Sequence, residues 1–138
     1  MSSMGCWNTG LNSFQKWNIG NIVRKILIND EDIKGQVSNN IFPIVAPENT
    51  IGDFIVYRRA QYSKSSVKMG VYEDKCELII VALSDNYDDS IILASKIDNT
   101  LTGKHTLENG YKLDIALSDS TEMYEDNKYI QTLIFTIK

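Results

Sequence analysis

The chain is poor in the residues that most often carry catalysis or hold metals. Among 138 residues there is one histidine, His105, and there are two cysteines, Cys6 and Cys76. A zinc site needs three or four ligands at set spacing, and these residues do not supply one. Two thiols make no disulfide framework, and Cys76, inside a strand-like run, reads as a packed thiol. His105 stands beside a turn without a partner at a useful spacing, so it reads as a surface histidine rather than a general base. No phosphate-binding glycine loop and no GxSxG elbow occur. The net charge of −4 argues against nonspecific nucleic-acid binding, which wants a basic face, though it leaves room for a local basic patch. No apolar run is long enough to span a membrane and no signal peptide is visible, so the expected compartment is the cytoplasm.

Acidic residues are plentiful but do not form a recognisable site. Asp85, Asp88 and Asp89 lack the twelve-residue calcium-loop pattern and are explained by helix capping. Asp119, Glu122, Glu125 and Asp126 crowd one stretch, which reads as a solvated loop rather than a glycosidase carboxylate pair.

Proline is scarce and concentrated. The only two, Pro43 and Pro47, fall within the elbow "IFPIVAPENTIGDF". Pro43 cannot donate to a ladder, so Ile41–Ile44 reads as a short edge strand or an extended crossing.

The remaining pattern is regular. Residues 1–12 read as a flexible tail and residues 13–138 as one α+β domain, a size that suits a single core. Ile19, Ile22, Val23, Ile26 and Leu27 share one helical face, with Asn18 as N-cap and Ser13 as an earlier start that adds Phe14 and Trp17. Gly35 and Ser38–Asn40 mark a loop. Phe54–Tyr62 and Val71–Leu83 read as the strands of a long hairpin with its tip near Ser63–Met69. Leu78–Leu83 is apolar on both faces, which places it mid-sheet under cover on both sides. Ser84-Asp85-Asn86 caps a second helix, Tyr87–Leu101, with a stripe of Tyr87, Ile91, Ala94, Ile97 and Leu101. Gly103 stops it. Asn109-Gly110 signals a turn, and two alternating strands follow, about 111–118 and 128–138. The expected architecture is α+β: two helices packed on one face of a mostly antiparallel twisted sheet, with a long protruding β-hairpin.

Charge is unevenly placed. Gly52–Cys76 carries five basic and three acidic residues, whereas Glu77–Gly103 carries one basic and five acidic ones, so copies could pair head to tail.

The stretch "NIFPIVAPENTIGDFIVYRR" resembles the signature of the tail-completion or tail-terminator proteins of tailed bacteriophages and prophages, which share the fold of the lambda minor tail protein U. The matching residues are Ile41, Phe42, Pro43, Ala46, Pro47, Phe54, Ile55, Val56 and Tyr57. "VALSDNYDDSIILASKIDNTLTG" resembles the family's strand–turn–helix, and "YIQTLIFTIK" its last strand. The likeness spans about residues 18–138. One departure is Asp53, where the family often carries proline. The resemblance implies a structural virion-tail protein assembled in the bacterial host cytoplasm. Its subunits would form rings, typically hexamers, that cap the tail tube and face the head connector, with no cofactor, no metal and no catalytic step. The expected partners are further copies, the tail-tube protein and the head-connector protein. Arg58, Arg59, Lys64 and Lys68 are the expected contact residues, with Asp85, Asp88 and Asp89 as their partners on a neighbour; these positions follow from charge placement. The prolines would then form a rigid elbow that blunts a sheet edge, leaving the paired arginines facing outward. Two other readings stand beside this one. One is an immunity-type binding module using residues 119–126. The other is a small ligand-binding or enzymatic α+β dimer with a pocket near His105 or Tyr111.

Overall fold

Ile19, Val23 and Leu27 recur at one turn's spacing, and the computed structural model buries all three completely on one side of a helix. The structure describes residues 13–66, 72–108 and 110–138. Its elements in chain order are α1 (Ser13–Trp17), α2 (Ile19–Ile28), α3 (Glu31–Val37), β1 (Ile41–Pro43), β2 (Phe54–Ser66), β3 (Tyr72–Ser84), α4 (Tyr87–Leu101), β4 (Gly103–Thr106), β5 (Lys112–Glu125) and β6 (Lys128–Ile137). The flexible tail expected at residues 1–12 lies outside the described residues.

The α+β class holds, with one more helical segment than the two-helix reading allowed even when α1 is joined to α2. The extra helix is α3, where a loop was expected. Asp30 caps it, accepting from Asp32 N at 2.9 Å and Ile33 N at 3.0 Å. Ile33 and Val37, one turn apart, are buried. Gly35 is therefore inside a helix, tolerated because tertiary burial outweighs its propensity penalty of about 1 kcal/mol. Asn18 precedes α2 as expected, but its Oδ1 accepts from Asn21 Nδ2 at 2.7 Å and makes no backbone cap.

The six strands form one sheet in the order β1-β2-β3-β6-β5-β4. Only β1–β2 is parallel. One face carries the core. Ile55 pairs with Ala82, Tyr57 with Ile80, Leu78 with Phe135 and Ile115 with Ile137, and all eight side chains are buried with α2, α3 and α4. The approach of α2 is close: a Cβ on Gly20 would sit 2.9 Å from Tyr57 Cε2. The opposite face alternates with it. Val56, Val81, Ile79, Ile130 and Ile134 fall there and are only half-buried. β3 is central, as its apolar run required, but the helices cover one side of it alone.

Two register details differ from expectation. In α4 the buried stripe is Ser90, Leu93, Ile97 and Leu101, while Tyr87 and Ile91 are more than two-fifths exposed. Ser90 fits the buried side because its Oγ donates to Tyr87 O at 2.6 Å. The second concerns residues 119–125, expected as a loop. They continue β5, and the chain reverses at Asp126-Asn127, both at positive φ (52° and 64°), in the manner of a two-residue hairpin.

Candidate assembly interface

In the long β2–β3 hairpin, Arg58, Arg59 and Lys64 lie along β2 and Lys75 on β3. Arg58 and Arg59 are neighbours in an extended chain, so they project to opposite faces. Arg58 is exposed on the helix-free face. Arg59 is held on the helical side: its guanidinium lies 4.3 Å from the centre of the Trp17 ring and donates to Trp17 O at 3.0 Å. Trp17 in turn meets Tyr62 edge-on at 5.9 Å between centroids. Arg59 thus ties α1 to the hairpin, and the expectation that both arginines face outward is corrected. Lys64 lies on β2, opposite Asp74 in the ladder. Lys68, and with it the hairpin tip, lies outside the described residues.

The acidic residues gather at the other end of the sheet. Asn86 caps α4, accepting from Asp89 N at 3.1 Å, and puts Asp88 and Asp89 in the first turn, where the helix dipole favours them. Asp85 pairs with Lys128 at 2.7 Å. It is largely exposed, so this pair adds little stability. Lys128 stands across the ladder from Glu125, and Tyr87 Oη donates to Glu122 at 3.1 Å. That bond to Glu122, followed by the charge of the same carboxylate, pushes the Tyr87 phenol above its ordinary range. Asp85, Asp88 and Asp89 therefore share one acidic end with Glu122 and Glu125. The described basic residues of β2 and this acidic end are not brought together within a chain. They lie toward opposite ends of the sheet.

The elbow between β1 and β2 presents apolar side chains to solvent. Ile44, Val45 and Ile51 are 73%, 72% and 84% exposed. Ile44 has φ 67°, unusual for a β-branched residue. It is held there by two bonds, Ile44 N to Tyr57 O at 2.8 Å and Val45 N to Pro43 O at 2.6 Å, which closes a γ-turn. A groove of about 430 Å³ opens beside it, lined by Trp17, Gly20, Pro43, Ile44, Tyr57 and Arg58 among others.

Sequence reasoning missed Asp53. Its Oδ1 accepts from the fully buried Ser84 Oγ at 2.7 Å, and its Oδ2 accepts from Gln36 Nε2 at 2.7 Å. Gln36 Oε1 accepts from Lys96 Nζ at 3.0 Å. The network fastens α3, β3 and α4 at the mouth of the elbow. A polar residue set directly before the apolar run of β2 was the available signal.

The pocket expected of an enzyme near His105 or Tyr111 takes a different form. A groove of about 520 Å³ lies between α1–α2 and the β4–β5 turn, with Phe14, Ile22, Ile26, Leu107 and Tyr111 on its walls. The His105 ring is occupied elsewhere, its Nε2 donating to Leu101 O at 2.7 Å at the end of α4. Cys76 is buried in the core. Among the described residues no cluster of His, Cys, Asp or Glu could hold a metal ion, and no helix is long and apolar enough to cross a membrane.

The fold is shared with a chain of a solved virion structure. The matching chain comes from a solved structure titled "Virion of native gene transfer agent (GTA) particle". It superposes with a TM-score of 0.69 over 83% of this chain and 89% of that one, at 16% identity, a level that establishes common architecture. No protein-family model and no curated protein matches the sequence.

Proposed function

We propose that this protein is a structural subunit of a phage or prophage virion, a tail-completion or tail-terminator protein that forms a ring at the head-proximal end of the tail tube. The observation that carries the reading is the helix-free face of the sheet. Its central strands carry a row of half-buried Val and Ile side chains over which the chain's own helices do not pack. Sheets built that way pack against something else. The fold it shares with a chain of a gene transfer agent particle supports a virion setting for that partner. The sequence resemblance to tail terminators supports the ring, its position and the absence of catalysis.

Within the ring, Arg58, Lys64 and Lys68 of one subunit face the acidic end of the next, where Asp85, Asp88 and Asp89 lie. Arg59 contributes by holding the hairpin against α1. The tail-tube protein and the head connector meet the two open sides of the ring. Deleting the gene from its parent element and imaging the particles tests the role. The expected phenotype is tails of uncontrolled length beside unjoined heads. Normal joined particles would overturn it.

A further inference from the structure

Two long strands of this sheet are each left half-covered at the margin. β1 pairs with β2 only at Ile55–Tyr57, so no described strand covers the outer edge of β2 over residues 58–66. At the far side β4 pairs with β5 only over residues 112–115, leaving residues 116–125 equally bare. Unpaired edges of this length are templates for strand addition. Their charges are opposite. The bare part of β2 carries Arg58, Arg59 and Lys64 with no acid, and that of β5 carries Asp119, Glu122 and Glu125 with no base.

We propose that the bare edge of β2 in one copy pairs antiparallel with the bare edge of β5 in the next, so that one sheet runs on through successive subunits. This rests on the ring reading and supplies its interface. Direction follows from topology: β2–β3, β3–β6 and β6–β5 are all antiparallel, so β2 and β5 run in opposite senses. Copies related by rotation about the axis of a closed barrel, to which the strands are tilted, then present these edges antiparallel to each other.

The steps at the margins also fit. In ladder register β1 lies at one end of the sheet and β4 at the other. Sliding the neighbour by about five to six residues, ~18 Å, sets the bare edges side by side. That slide puts β1 beyond the end of the neighbouring β5, and β4 beyond the end of the neighbouring β2. Each copy adds β2, β3, β6 and β5 to the shared sheet, a width of ~19 Å at strand spacing. Such a slide over such a width tilts the strands by about 40–45°, as closed barrels require. The charges make the pairing one-way. Two β2 edges repel, as do two β5 edges, and only the head-to-tail contact attracts.

Zero-length carbodiimide coupling tests this on the full chain, with isotope-labelled and unlabelled copies mixed and the same sample weighed by light scattering. The expected product joins Lys64 of one copy to Asp119, Glu122 or Glu125 of another, and it is lost in Lys64→Arg, which keeps the charge but not the amine. Assemblies whose coupling runs through other surfaces would overturn the edge pairing and leave the ring reading standing. A protein that stays monomeric and uncoupled would overturn both.

Discussion

Asp53 accepts a 2.7 Å hydrogen bond from the Oγ of Ser84, a side chain with no exposed surface. The bond joins the entrance of β2 to the exit of β3. Removing the carboxylate leaves the buried hydroxyl proton without its acceptor, a loss of about 1–3 kcal/mol. Asp53→Ala is therefore expected to lower the unfolding free energy by that amount, read as a lower denaturant midpoint at unchanged m. Ser84→Ala on top of it is expected to recover part of the loss, because both partners are then gone. An additive double mutant would show that the bond carries no stability.

Gly20 faces Tyr57 at a distance no real Cβ can keep, 2.9 Å. Alanine gains up to about 1 kcal/mol of helix propensity over glycine. Here the ring it meets is 4% exposed and has little room to yield, and overpacking costs about 1–3 kcal/mol. Gly20→Ala should be net destabilising in thermal unfolding, and Tyr57→Leu should reverse its sign. A stabilised Gly20→Ala would contradict the packing of α2 on β2.

Ile44 holds positive φ at 67° while 73% exposed. Left-handed backbone costs a residue with a Cβ about 1–2 kcal/mol, and little burial is lost on truncation. Ile44→Gly is expected to raise the melting temperature by a few degrees, after the larger chain entropy of glycine is deducted. Unchanged melting would mean that the turn is unstrained.

Asp30 gives a pH dependence of known sign. Its carboxyl accepts from Thr100 Oγ1 at 2.7 Å and from the first backbone N–H groups of α3. These bonds, the one from Thr100 first, hold its pKa below the ordinary carboxylate value. A depressed pKa adds stability that is fully present above the unfolded-state value and is lost as pH falls through the folded one. Asp30→Ala should cost about 0.5–2 kcal/mol near neutrality, as for other helix caps. The gap from the parent should close as the solution is acidified below pH ~4. A gap that does not change with pH would assign the loss to something other than the ionised cap.

Much of this architecture is legible in the sequence where burial and local chemistry agree. α4 begins after Asn86 and ends before Gly103 as its caps dictate, and β6 alternates as a half-buried strand should. The short edge strand at Pro43 also follows from the missing N–H. The differences arise where tertiary context decides. α3 is a short helix with a central glycine, and what holds it is the burial of Ile33 and Val37. The outer half of β5, residues 119–125, is exposed throughout, so backbone pairing with β6 holds it in place of burial. The buried stripe of α4 runs through Ser90 and Leu93, and Ser90 is tolerated there because its hydroxyl bonds its own helix and so leaves no donor stranded. For the interface, charge placement marked the basic and acidic segments. Strand alternation alone separates Arg58 from Arg59, yet the capture of Arg59 by Trp17 requires knowing where α1 lies.

The central claim is that this chain works by docking against copies of itself and other virion parts. Light scattering over a concentration series, on the parent and on Arg58→Glu, tests it most directly. Arg58 is the substitution to use because it is exposed, whereas Arg59 supports the fold. The expected result is a multimeric mass that grows to a fixed limit in the parent and collapses toward the single-chain mass in the variant, with both equally folded by circular dichroism. A single-chain mass at every concentration in the parent, or an assembly indifferent to Arg58→Glu, would contradict it.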